Sequence, residues 1–121
     1  MPIFINLTNH NSAAWPMAQK EAATAIGALI DMAFPSIDPY ADSKEIDLMV
    51  DEYFNRVMAY KNPKVLLMGE FIFTFRLVTR LKAAGIHVYA TCSERKAIEY
   101  TDPEGKVQKR SVFDFVTFKE Y

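Results

Sequence analysis

One cysteine, Cys92, in a chain of 121 residues leaves no partner for an internal disulfide. No apolar run is long enough to cross a bilayer and no cleavable signal is recognisable, so a cytoplasmic protein with no membrane partner is expected. Neither sign of charge is in excess: 14 Lys+Arg stand against 15 Asp+Glu, for a formal net charge of -1. That balance argues against a broad basic surface for duplex DNA, while leaving room for a small basic pocket around a phosphate. The chain also lacks GxGxxG, Walker A and nucleophile-elbow patterns, which removes the usual support for dinucleotide, NTPase and α/β-hydrolase readings. No pair of His or Cys has ligand spacing, and Asp38, Glu70 and Glu94 are scattered, so neither a metal site nor a cofactor is expected. There is no internal repeat, low-complexity tract or flexible linker.

What is present is an ordinary globular composition, 50% hydrophobic and 24% charged. A chain of this length buries one core, so residues 1–121 are expected to form a single domain.

The hydrophobic pattern alternates between strand and helix periods. Residues 3–7 are a short apolar run interrupted only by Asn6, which suits a strand covered on both faces. Pro16 fits a first helical turn, and Met17, Ala22, Ala25, Ile26 and Leu29 recur at helical spacing. A second strand is expected over 30–34, followed by a loop carrying Pro35 and Pro39. Asp42 followed by Glu45 reads as a capping box. It opens a helix whose apolar stripe is Ile46, Met49, Val50, Tyr53, Phe54, Val57 and Met58. Asn62-Pro63 precedes a third strand over 64–68. A third helix is expected over 71–84, with Arg76, Arg80 and Lys82 on its exposed face and Gly85 closing it in a left-handed conformation. A fourth strand covers 86–91. Residues 96–100 and 106–118, around Asp102-Pro103-Glu104-Gly105, form an antiparallel hairpin. Neither face of its second arm is cleanly polar, so the hairpin either closes the sheet beside a helix or meets a partner subunit. The fold class is therefore α/β: a Rossmann-like open parallel sheet of about four strands and three helices, with a C-terminal antiparallel hairpin.

Three polar clusters follow directly on strand-like runs: Thr8-Asn9-His10-Asn11, Gly69-Glu70 and Thr91-Cys92-Ser93-Glu94-Arg95. In a parallel sheet the carboxyl ends of strands share one rim, so these clusters are expected to converge on one crevice. Asn6 to Ser12 leads into a helix start, where backbone N–H groups attract anions, although turn and cap roles explain the same residues. His10 is the sole histidine on that rim; as a residue type histidine shuttles protons near neutrality or, as imidazolium, offsets a phosphate charge. His87 lies within the fourth strand. Arg95 offers a planar fork for phosphate, flanked by the hydroxyls of Thr91 and Ser93. An ion pair of Arg95 with Glu94 or Glu99 is the structural alternative. Glu70 serves equally as a helix cap, and Cys92 reads as a small buried thiol.

The stretch Tyr89 to Glu99, the closing Ser111-Val112-Phe113-Asp114-Phe115-Val116-Thr117-Phe118 and the rim residues Gly69-Glu70-Phe71 resemble the small standalone CRISPR-associated proteins related to the CARF superfamily, some of which are ring nucleases. The opening Ile5-Asn6-Leu7-Thr8-Asn9-His10 is compatible with the same group. The resemblance implies a CARF-like homodimer acting in type III CRISPR antiviral defence, which binds a cyclic oligoadenylate across its two-fold axis and linearises it without a metal. Under it, His10, Ser93 and Arg95 are the candidate catalytic residues. Thr8, Asn9, Asn11, Trp15, Gly69, Glu70, Phe71, Thr91 and Glu94 are the candidate ligand contacts, with Trp15 or Phe71 stacking on a base. Two other classes fit the same residues: a module that binds or sequesters a nucleotide without chemistry, and a small interaction protein that assembles through its hairpin.

Overall fold

A computed structural model describes residues 2–121. Strands β1 (Ile3–Leu7), β2 (Ala28–Asp31), β3 (Pro63–Leu67), β4 (Val88–Thr101) and β5 (Val107–Glu120) and helices α1 (Met17–Ile26), α2 (Ser43–Met58) and α3 (Phe71–Ala83) make up the fold. The strands form one sheet in the order β2-β1-β3-β4-β5. β1 pairs in parallel with both β2 and β3, and β3 with β4; only β5 runs antiparallel. The α/β class, the parallel core and the C-terminal hairpin thus follow the alternation of periods in the sequence.

Period-two geometry sorts the core between the faces. Ile5, Leu7, Val65 and Leu67 point to the face that carries α2 and α3, where they meet Val50, Tyr53, Val57, Phe73, Leu77 and Leu81. Phe4 and Leu66, the alternate residues, meet Trp15 and Ala23 on the α1 face. β1 and β3 therefore read as apolar throughout because each is covered twice. Phe73 is fully buried, with edge-to-face contacts to Phe34 at 5.3 Å and Tyr53 at 5.5 Å. Phe4 is its counterpart on the other face, set edge-on to Tyr89 at 5.7 Å and Phe118 at 5.3 Å.

Several boundaries depart from the sequence expectation. α1 ends at Ile26 because the chain must reach β2 at Ala28, so Leu29 belongs to that strand and β2 stops at Asp31 rather than 34. The Asp42 carboxylate accepts from the Glu45 N–H at 2.8 Å, which is the cap half of the capping box. Asn62 leaves the right-handed helical region as the following proline requires, but into a left-handed conformation (φ 50), which asparagine tolerates. Gly85 does adopt the left-handed helix-closing conformation (φ 80). Arg76 and Arg80 are not a free solvent face: Arg76 bonds Asp47 at 3.1 Å and Arg80 pairs with Asp51, tying α3 to α2.

The largest departure is at the end of the chain. β4 does not stop at 91; it runs on through Thr101, paired with β5 along its whole length. The cluster Thr91 to Arg95 is therefore strand, not a loop at a strand tip. Asp102 closes the turn, its carboxylate accepting from the N–H groups of Glu104 at 3.0 Å and Lys106 at 2.9 Å, with Gly105 at φ 82. From Ser93 outward the hairpin projects beyond the helices, and nearly every residue on it is exposed. Among the described residues, no helix is long and apolar enough to cross a membrane.

Candidate functional site

From β1 the chain moves to β2 on one side and, after that excursion, returns to β3 on the other, so the helices that follow diverge to opposite faces and leave a crevice at the carboxyl ends of β1 and β3. A hollow of about 740 Å³ occupies that place on the α1 side. Its rim comes from Thr8, Asn9 and His10 after β1, Met68 and Gly69 after β3, and Thr91 and Ser93 within β4. Trp15, Pro16 and Gln19 at the start of α1 form one wall, and Phe113 and Phe115 of β5 form another.

The loop that presents His10 is held from beneath. Asn6, 1% exposed, donates through Nδ2 to the His10 carbonyl and to Asp31 Oδ1, both at 2.8 Å. Its Oδ1 accepts from the Thr8 hydroxyl at 2.8 Å, and the His10 N–H donates to the Thr8 Oγ1 at 3.2 Å. A buried amide with its hydrogen-bonding groups engaged is a rigid floor for an exposed loop. Asp31 completes the network from β2, accepting from the Ser12 N–H at 3.0 Å and the Ser12 hydroxyl at 2.7 Å. Burial pushes its carboxyl up, but the bonds from Asn6 and Ser12 outweigh that and leave it below the ordinary carboxylate value of 3.8. A carboxylate depressed in the folded state stabilises above its unfolded pKa and ceases to as pH falls through the folded one. Asp31→Asn is therefore expected to flatten the acid limb of the stability-versus-pH curve below about pH 4 relative to wild type, as read by urea melts across that range. An unchanged limb would place the acid sensitivity elsewhere.

Not every residue singled out from sequence reaches the hollow. Thr8, Asn9, His10, Trp15, Gly69, Thr91 and Ser93 line it. Asn11 lines a smaller neighbouring hollow of about 390 Å³ beside Asp31, and its side chain accepts from the Ala13 N–H at 2.9 Å. Glu70 is the N-cap of α3, its carboxylate accepting from the Ile72 and Phe73 N–H groups. Phe71 is 87% exposed and takes no part in the lining. Because β4 continues past Thr91, its side chains alternate, and Glu94 falls on the opposite face, across from Asp114 and 4.0 Å from Lys96. Arg95 shares the hollow's face, opposite Phe113, yet its guanidinium donates to the Ser111 hydroxyl at 3.0 Å and lies outside the lining. The gathering of His10, Glu70 and Arg95 around one hollow thus does not occur. Neither expected ion pair of Arg95 forms.

Trp15 is 8% exposed and packs 6.3 Å from Phe118, so it is a wall anchored in the core. Cys92 is half-buried rather than sealed, and His87 stands outside the sheet core, against Glu120. Among the described residues, His10 is the single ionisable side chain in the lining. Sequence reasoning missed Asp31, Phe113 and Phe115. A lone acidic residue closing an apolar run was the available signal for the first, and three aromatics on a strand with no polar face for the others.

Gly69 sets the depth of the rim. A Cβ there would stand 2.2 Å from Phe34 Cζ, with two more ring atoms inside 2.8 Å, and Phe34 is itself lodged against Phe73. Gly69→Ala is expected to displace that ring and to cost about 1–3 kcal/mol in a chemical melt, the usual scale of overpacking. A change below about 0.5 kcal/mol would mean that Phe34 swings away freely.

Among curated proteins, none matches this chain. A family model does match it over residues 2–119, nearly its whole length, and the chain accordingly belongs to the family described as Uncharacterized protein MJ1673 family.

Proposed function

We propose that the hollow at the carboxyl ends of β1 and β3, beside the middle of β4, binds a cyclic oligoadenylate and linearises it by attack of a ribose 2′-hydroxyl on the neighbouring phosphate. The observation that carries this reading is the composition of the lining. Hydroxyl and amide side chains from Thr8, Asn9, Thr91 and Ser93 share the lining with the aromatic rings of Phe113 and Phe115, and Ser93 lies directly across the strand pair from Phe115. Polar groups that orient a sugar-phosphate and π-faces that stack on bases are what a single-stranded nucleotide needs. The resemblance to CARF-related proteins supplies the cyclic form of the ligand and the setting of CRISPR defence.

The chemistry requires little machinery. The 2′-oxygen forms a bond to phosphorus, the bond from phosphorus to the 5′-oxygen breaks, and the product ends in a 2′,3′-cyclic phosphate. His10 takes the 2′ proton as general base, and water protonates the departing 5′-oxygen. Asn9 and Ser93 hold the phosphate and ribose in line, while Thr8, whose hydroxyl already donates to Asn6, steadies the His10 loop; positioning of this kind supplies much of the rate. Arg95 and Glu70, which lie outside the lining, are assigned no contact with the reacting atoms.

Incubation of the protein with cyclic oligoadenylates in the presence of EDTA, followed by chromatography, tests the reading. Conversion to linear product supports it. Retention of the intact ring with measurable binding would make the protein a sequestering module, and absence of both would leave the hollow without this ligand.

A further inference from the structure

The hairpin arm ends in an unused strand edge. Among the described residues, β5 is the last strand of the sheet, and one of its edges has no neighbour along 14 residues. Its apolar side chains stand in water: Phe113 is 68% exposed, Val107 66% and Val116 59%. Natural sheets blunt such edges with bulges and charges; here the bulge opposite Cys92/Ser93 lies at the root of the arm, and the charges beyond it, Lys109, Arg110 and Asp114, are of both signs. Beyond it, residues 107–115 are free to pair.

We infer that this edge pairs antiparallel with the same edge of a second copy, about a two-fold axis through Val112. In an antiparallel self-pair, residues equally far from the centre face each other on the same side of the sheet. Centring on Val112 sets Arg110 opposite the partner's Asp114, and Asp114 opposite the partner's Arg110, so opposite charges meet twice. Shifting the centre to Ser111 sets Asp114 against the partner's Gln108 and leaves both charges uncompensated across the seam. Within one chain Asp114 meets Lys96 at 3.1 Å and Arg110 lies 5.7 Å over the Tyr100 ring, so each has a neighbour on β4 and gains a second, of opposite charge, across the seam.

The same register changes the hollow. Phe115 and Phe113 line it, and Lys109 lies on their face of β5 by period-two alternation. Pairing about Val112 puts the partner's Lys109 directly opposite Phe115. Among the described residues of one chain the lining contains no lysine or arginine, whereas a phosphate ligand calls for a cation. The second copy supplies it. This last step rests on the nucleotide reading above; the pairing itself does not.

Sedimentation velocity and crosslinking test the pairing. Wild type is expected to be a dimer. Asp114→Arg and Arg110→Asp should each weaken it by at least about tenfold, and the double variant should restore it. In a Cys92→Ser background, Val112→Cys should form an inter-chain disulfide on mild oxidation, since directly opposed Cα atoms lie about 4.5–5.5 Å apart. Phe113→Cys, opposed to Ser111, should not. A monomer at all concentrations, a dimer indifferent to the charge reversals, or a dimer without the Val112→Cys crosslink would overturn the inference. Lys109→Ala should keep the dimer and weaken binding of a cyclic oligoadenylate roughly tenfold. If the dimer and crosslink hold while no cyclic oligoadenylate binds wild type, the ligand reading falls and the pairing stands.

Discussion

Replacing His10 by alanine is expected to slow linearisation of a cyclic oligoadenylate by about 10²–10⁴-fold, the range a positioned general base contributes, while affinity changes little. The separation follows from where His10 sits. Among the described residues it is the single ionisable side chain in the lining, so none of the others there takes over proton transfer. Its loop is fixed through backbone atoms, the Asn6 amide to the His10 carbonyl and the His10 N–H to Thr8, and those bonds survive loss of the imidazole. Binding should therefore persist in His10→Ala, and the hollow should keep its shape. Single-turnover chromatography gives the rate and a ligand titration gives the affinity. Turnover at the wild-type rate would remove His10 from the chemistry.

Truncation of Phe73 should have the largest effect on stability, about 3–5 kcal/mol for Phe73→Ala. The ring is fully buried where the sheet, α2 and α3 meet, with aromatic partners on two sides. Its removal forfeits both the transfer of a large apolar surface from water and the edge-to-face contacts, and leaves a cavity that flanking helices close only in part. For a domain whose net stability lies in the ordinary range of about 5–15 kcal/mol, that is a large share. The hollow lies on the opposite face of the sheet, so the surviving folded fraction should bind ligand as wild type does. Urea melts read the first expectation; a loss under about 1 kcal/mol would mean the site collapses around the smaller side chain.

The elements that sequence made legible are those whose burial follows a regular period. β1 and β3 are apolar because both of their faces are covered, α2 carries an unbroken stripe behind Asp42, and Gly85 ends α3 in the conformation that favours glycine. The long β4 was not legible. Beyond Ser93 both of its faces meet water, so no alternation of apolar and polar residues marks it, and the cluster Thr91 to Arg95 has the composition of a loop. What makes it a strand is its backbone pairing with β5, in which Tyr89 meets Glu120, 31 residues away in sequence. The site was legible to the same degree. Thr8, Asn9, His10, Gly69, Thr91 and Ser93 converge because parallel strands share a rim, whereas Glu70 is drawn away by the orphan N–H groups of α3 and Arg95 by Ser111. Asp31 escaped notice because its role depends on Asn6, 25 residues distant.

On the proposed function, ligand enters the crevice between β1 and β3 on the α1 face. Titration of a cyclic oligoadenylate into isotopically labelled protein, followed by amide chemical shifts, tests it most directly. The largest shifts should fall on Thr8, Asn9, His10, Gly69, Thr91 and Ser93, with Phe71 and Glu94 little moved. Shifts centred on Phe71 and the α2–α3 face, or none at saturating ligand, would contradict the account.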